Sequence, residues 1–296
     1  IAQCLVGSEM CIRDRVIRQV YPRLGIVPGL ILAPGWSQIP EVGLALAAKA
    51  AKINGVYSAM ALLDLDTAKA KKYTDTKSVK EESGYTSPFC YPLWPCDRVG
   101  EYILAKSAVA GAMIQYMASD NEDVPNQSPS NHLLGVGGQC LEDGTEVYLD
   151  QDQANTVNGY GVTTAINQNG YRLWGNYTGA YPASSDAKDI WFAVRRMFSW
   201  QGNNFIQTYF DEVDDPMNNV LVQSVVDSEN IRCSAYAPKY WAGASIEYKS
   251  DDNPKTAILA GTMKFRQHIA PYTPAQEIVD IIDYDTDTLA AAVGGN

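Results

Sequence analysis

GIVPGLILAPGWSQIPEVGLALAAKAAKINGVYSAMALLDL, residues 25–65, alternates between two kinds of chain. Ile26 to Leu32 is an apolar run stopped by Ala33-Pro34-Gly35, which reads as a strand followed by a breaker. Pro40 to Lys52 carries Val42, Leu44 and Leu46 among many alanines and stops at Asn54-Gly55, as a helix does. Val56 to Leu65 is a second apolar run, closed by Asp64 and Asp66.

The alternation continues outward. Thr67 to Glu82 is polar and Lys-rich, a solvent-facing helix, and Phe89 to Pro95 is a third strand cut short by its prolines. Arg98 to Met117 is the longest helical pattern, with Ile103, Val109, Met113 and Met117 near one face. Strand and helix in alternation predict βαβ units with right-handed crossovers. The expected fold is therefore α/β, a mostly parallel sheet with flanking helices.

Ser119 to Asn131 is loop, and Gly144 to Asn158 a polar connection. Tyr160 to Ile166 and Gly170 to Trp174 read as a strand pair. The second half changes character. Ser184 or Ser185 can cap a helix over Asp186 to Trp200, and Pro216 opens another to about Cys233. Ile246 to Tyr248, Ala257 to Ile269 and Glu277 to Asp283 read as strands, and Tyr284 to Asn296 as a loose tail. The expected organisation is a core domain over 16–180, a smaller α+β domain over 181–283 and a C-terminal arm over 284–296.

The chain has 296 residues, a formal net charge of -11 and a sequence pI of about 4.7. An acidic surface repels phosphate, which argues against nucleic acid and anionic membranes as partners. Apolar runs such as Val109 to Met113 fall far short of the ~20 residues of a membrane span. Six cysteines occur, and Cys90 and Cys96, the close pair, lack the two-residue spacing of redox or zinc motifs. They read as inert thiols of a reducing compartment. Residues 1–15, IAQCLVGSEMCIRDR, read as a non-native, adapter-derived segment; Glu9, Arg13, Asp14 and Arg15 break any signal-peptide core.

Candidate chemistry is thin. With two histidines in the chain, a hydrolytic triad would have to combine Asp64, His132 and a serine such as Ser245, and no Gly-x-Ser-x-Gly elbow accompanies them. Asp150-Gln151-Asp152 and the Asp283, Asp285, Asp287 series begin like calcium loops. They place Ala154 and Asn155, or Thr288 and Gly294, where ligands and the turn glycine belong. The acidic run at Asp211, Glu212, Asp214 and Asp215 reads as a charged loop. Gly135-Val136-Gly137-Gly138 matches neither phosphate-binding fingerprint. No catalytic, metal or cofactor site is expected.

Residues 158–178, NGYGVTTAINQNGYRLWGNYT, resemble the tail sheath proteins of contractile bacteriophages. In that pattern a Gly-Ile/Val strand precedes a Gly-x-x-x-Trp-Gly-x-x-Thr element, and Gly161, Val162, Gly170, Trp174, Gly175 and Thr178 occupy its positions. Phe192 to Met197 is similar to the family's helix with paired arginines, here Arg195 and Arg196. Pro125 to Asn131, Trp241 to Asn253, Gly261 to Lys264 and Pro271 to Ile278 extend the resemblance in order, across residues 25–283.

The resemblance implies an α/β core of the kind called subtilisin-like, without protease residues, then a smaller α+β domain. It implies no cofactor and a structural role in the virion, after assembly in the host cytoplasm. Copies would stack as helical rings around a tail tube protein, in contact with baseplate and tail terminator proteins, and contract to drive the tube through an envelope. Ile278, Val279, Ile281 and Ile282 suit either an arm that adds a strand to a neighbour's sheet or an edge strand of their own domain. Arg195 and Arg196 would face acidic partners or pair with Asp186 and Asp189. The sheath of a related injection particle and, in another class, a subtilisin-like serine hydrolase are the alternatives.

Overall fold

The computed structural model describes residues 16–294. Helix α1 (residues 16–24) leads into β1 (Leu30–Leu32), α2 (Pro40–Ala51) and β2 (Met60–Asp64). Then come α3 (Thr76–Ser83), β3 (Cys90–Leu93), β4 (Cys96–Val99), β5 (Tyr102–Leu104), α4 (Lys106–Asp120) and β6 (Gly138–Cys140). Helix α5 (Gln151–Gly159) precedes β7 (Thr164–Asn167) and β8 (Tyr171–Trp174). The second half holds α6 (Ala187–Ile190), α7 (Phe192–Thr208), α8 (Asn219–Tyr236), β9 (Trp241–Glu247), α9 (Lys255–Leu259), β10 (Arg266–Pro271) and α10 (Thr286–Ala292).

The opening stretch folds as its pattern dictates. Strands β1, β2 and β3 form a parallel sheet in that order, with Leu30 opposite Met60 and Ala61 opposite Cys90. Central β2 is buried along its whole length, and its sequence is accordingly apolar from Met60 to Leu63, up to the buried Asp64. Its side chains divide by parity. Ala61 and Leu63 pack with Ala47 and Ala50 of α2; Met60 and Leu62 pack with Ala110, Met113 and Ile114 of α4. Two helices thus cover the two faces of one sheet. Beyond β3, Thr163 closes the edge by a parallel bridge to Leu93.

The sheet is less parallel than the alternation implies. The remaining strands are antiparallel: β5-β4-β6, β7-β8 and β9-β10. The β4–β5 and β7–β8 connections are tight turns, whereas α4 lies between β5 and β6 and α9 between β9 and β10. The helix expected over 98–117 is in fact β4, a turn at Gly100 with φ +59°, β5 and then α4. Ala257 to Ile269 opens as α9 and becomes strand only at Arg266, because Asn253 pins Lys264 on both its N–H and its carbonyl. The polar 144–158 segment contains α5, started by Asp150, whose carboxylate accepts from Gln153 N at 2.8 Å. The helix over 186–200 is broken at Trp191, and the expected loose tail contains α10.

A third cluster joins the second half. Trp241 of β9, Cys233 of α8, Met197 of α7, Tyr240 and Val124 are buried together. Beyond β10 the chain runs extended. Residues 273–284 belong to no element and make no backbone hydrogen bond among the described residues. Glu277 to Asp283 is therefore not a strand of its own domain.

Candidate assembly site

The sequence-predicted residues of 158–196 come together as a structural knot. Strands β7 and β8 form the expected hairpin, Thr164 opposite Trp174. Gly161 has φ +70°, and a Cβ there would meet the Tyr181 carbonyl and lie 2.6 Å from Lys80 Nζ. Gly175 has φ +140°, with Asn158 and Thr163 side chains at 2.7 Å from such a Cβ. Only glycine fits either place. Gly170 carries φ +109° in the hairpin turn, and Val162 is buried in the core beside the Thr163 bridge.

Trp174 Nε1 donates to Asn155 Oδ1 at 2.9 Å, and Thr178 Oγ1 donates to the Asp189 carbonyl. Arg195 pairs with Asp189 at 3.2 Å and lies 4.4 Å over the Phe89 ring. That is the local pairing the sequence allowed. Arg196 behaves otherwise: it sits over Phe192 of its own helix and has no ion pair among the described residues. Burial lowers its guanidinium to about 10.

Two buried polar nodes, missed in the sequence, hold the elements in register. Lys106, the first residue of α4, pairs with Asp97 of β4, and both side chains are fully buried. Next to it Asp64 Oδ2 accepts from Ser37 at 2.9 Å and from Ser107 at 2.5 Å, while Oδ1 accepts from Ser107 N. Burial raises the Asp64 carboxyl above its ordinary range. In the second half Glu229, fully buried, accepts two bonds from Arg232, at 3.0 and 2.6 Å. It also accepts from Gln201 at 2.6 Å and Tyr209 at 3.1 Å. The signal for both nodes was charge inside apolar patterns, which sequence spacing does not distinguish from surface charge.

The triad candidates are dispersed among other partners. Asp64 is consumed by Ser37 and Ser107, His132 stands exposed beside Arg172, and Ser245 pairs with His268 across β9–β10. The calcium-like acids serve as caps: Asp150 starts α5, and Asp285 accepts from Thr288 N at 2.9 Å to start α10. Cys96 faces Cys140 across β4–β6, while Cys90 lies on β3. No described helix is long and apolar enough to cross a membrane.

What the surface does offer is unsatisfied strand. Among the described residues β9 and β10 make a two-stranded sheet, each with an edge that no other strand covers. The following segment exposes Ile278 (89%), Val279 (69%), Ile281 (80%) and Ile282 (87%). Four exposed branched apolar residues within five positions make a contiguous apolar surface.

Fold comparison defines the class. An extracellular contractile injection system (PVC) sheath complex in its contracted state aligns with TM-score 0.72 and 18% identity, covering 93% of this chain and 75% of that one. The contracted helical sheath of the anti-feeding prophage aligns with TM-score 0.70 and 19% identity, covering 93% and 74%. The chain thus shares the fold of contractile injection sheaths.

Curated relatives carry the same description. The tail sheath protein of Escherichia phage P2 is 23% identical over 283 residues, 92% of this chain and 65% of the relative. The major tail sheath protein of Serratia phage KSP20 is 27% identical over 197 residues, 64% and 48%. A putative prophage major tail sheath protein of Pseudomonas aeruginosa (strain UCBPP-PA14) is 31% identical over 183 residues, 59% and 43%. The chain spans about half to two thirds of these relatives' length. No family model matches.

Proposed function

We propose that this chain is the structural subunit of a contractile phage tail sheath, with no catalytic activity. The observation that carries the reading is the exposed, unpaired arm at 278–282 on a fold shared with contracted sheaths. An extended segment with alternating side chains and free backbone groups is a strand donor; a neighbour's open sheet edge is its acceptor. One copy's arm on the next copy's edge is a head-to-tail contact, and such contacts propagate into helices. Rings of subunits around a tube protein, ending on baseplate and terminator proteins, follow from that contact and from the relatives' names. The virion is then its place of action, after assembly in host cytoplasm.

The three-layer sheet of 16–180 corresponds on this reading to the subtilisin-like sheath core, and 181–283 to the smaller sheath domain. Contraction would move these bodies rigidly while arms keep neighbours joined. Gly161, Val162, Gly170, Trp174, Gly175, Thr178 and Arg195 support the subunit's shape.

Negative-stain micrographs of the purified chain at high concentration, with and without a tube protein, test the reading. Striated cylinders or stacked rings are expected. Dispersed monomers in every mixture, together with labelling of one serine by a fluorophosphonate, would replace it with a hydrolase.

A further inference from the structure

The cysteines group differently in the fold and in the sequence. Cys96 follows closely on Cys90 in the chain, yet in space it faces Cys140. The two stand directly opposite in the antiparallel β4–β6 ladder, and both thiols are free. Residues so placed have Cα atoms about 4.5–5.5 Å apart and side chains on one face. That spacing lies inside the ~4.4–6.8 Å window of a disulfide. Cys90 on β3 and Cys233 on α8 are buried, with no cysteine across from them among the described residues.

The two thiols differ in access. Cys140 is fully buried, whereas Cys96 is half-buried. Cys96 borders a cavity of about 270 Å³ at the carboxyl ends of β1 and β2, together with Gln38, Thr67 and Leu104. That space admits a small reagent to Cys96, and Cys140 does not line it. Burial raises the Cys96 thiol to about 12. It raises the Cys140 thiol as well, against the pull of Arg98 beside it. Thiolate is the reacting form, so the pair is slow at neutral pH and quickens as pH rises.

We propose that Cys96 and Cys140 form an oxidisable dithiol, which a low-molecular-weight disulfide converts into an intramolecular bond across β4 and β6. The Cys96 thiolate attacks one sulfur of the reagent RSSR, forming a mixed disulfide and releasing RS⁻. The Cys140 thiolate then attacks the Cys96 sulfur, forming the Cys96–Cys140 bond and releasing the second RS⁻. The two cysteine protons end on the two RS⁻ as RSH, so the pair loses two electrons and the reagent gains them. The bond fastens β4, whose Asp97 holds Lys106 at the start of α4, to β6. There Gln139 holds Ala165 of β7 at 2.7 and 3.1 Å. Closing the loop of residues 96–140 also constrains the unfolded chain. This inference stands on the fold alone. Joined to the sheath reading, it gives a subunit that assembles with open thiols in the cytoplasm and is stapled after release into oxidising surroundings.

The test uses the folded full chain carrying Cys4→Ser and Cys11→Ser, so that every remaining thiol lies in the described fold. It is treated with hydroxyethyl disulfide at about pH 9, where more thiolate is present, and its intact mass is read. Loss of two hydrogens with no adduct is expected. With Cys140→Ser added, the chain should instead keep one mercaptoethanol adduct on Cys96; with Cys96→Ser added, it should stay unmodified. The urea midpoint of the oxidised chain should rise by ~1 M and return on reduction with dithiothreitol. With both Cys96→Ser and Cys140→Ser the midpoint should ignore the reagent. Unchanged near-ultraviolet dichroism certifies that each variant is folded. An unchanged mass, a stable adduct on the chain that keeps both thiols, or loss of two hydrogens from either single variant overturns the proposal. So does a bond that leaves the midpoint where it was.

Discussion

Gly161 and Gly202 are the same residue in opposite circumstances. At Gly161 the backbone has φ +70° and an added methyl would press on the Tyr181 carbonyl and the Lys80 ammonium. That ammonium bridges the Tyr160 and Tyr181 carbonyls at 2.9 and 2.5 Å, so it cannot retreat without leaving both unpaired. Burial has already lowered its pKa to about 8. Gly202 lies inside α7 with nothing within 4 Å of a Cβ. Urea unfolding should therefore give opposite signs. Gly161→Ala is expected to cost about 2 kcal/mol or more, from left-handed strain plus the displaced lysine. Gly202→Ala should stabilise by about 0.5–1 kcal/mol, through helix propensity and reduced unfolded-state entropy. Equal effects would mean that Gly161 is not held by its surroundings.

At the level of elements, the start of α4 depends on charge placed where water cannot reach. Lys106 and Asp97 are both fully buried, and Asp97 Oδ2 has no hydrogen-bond partner. Desolvation accordingly raises the Asp97 carboxyl, against the pull of the lysine. Removing one partner leaves the other charge stranded. Lys106→Met should cost about 3–5 kcal/mol in denaturant unfolding, while the double replacement of Lys106 by Met and Asp97 by Leu should return most of it. A double variant no more stable than the single one would show that the pair itself supplies stability.

The same node shows where the sequence stopped being legible. The β1-α2-β2 alternation could be read because a buried parallel strand is apolar throughout and helices around it are amphipathic. Lys106 and Asp97 look like surface charges in one dimension, so 98–117 read as one long helix, and β4 and β5 were lost. Helix α5 was hidden in the same way, since its buried face amounts to Ala154, Val157 and Asn158. In the candidate site the glycines and Trp174 were found through a resemblance, and Arg195 found the local partner that the sequence had offered. Arg196 could not be separated from Arg195 in sequence. Their roles diverge because adjacent helix positions point about 100° apart.

For the whole molecule, the proposed arm would separate folding from assembly. The core clusters draw on residues up to Ile269, and Tyr272 fastens the end of β10 by donating to the Pro238 carbonyl at 3.0 Å. Beyond that point Ile278 to Ile282 are exposed and contribute nothing to those clusters. A chain ending after Thr273 should keep its unfolding free energy, from urea titration, within about 0.5 kcal/mol of the intact protein. The intact chain pays no folding cost for the arm, but it exposes branched apolar surface that a neighbour can cover, at ~25 cal/mol per Å² removed from water. Strand addition also supplies backbone partners to groups now left to solvent. Association must in turn overcome repulsion between copies that each carry -11. On the proposed reading, the truncated chain loses that attraction and keeps the repulsion. Sedimentation velocity over rising concentration should therefore show the intact chain growing into large species and the truncated chain remaining a monomer. Growth of both at the same concentration would place the joining contact in the folded body instead of the arm.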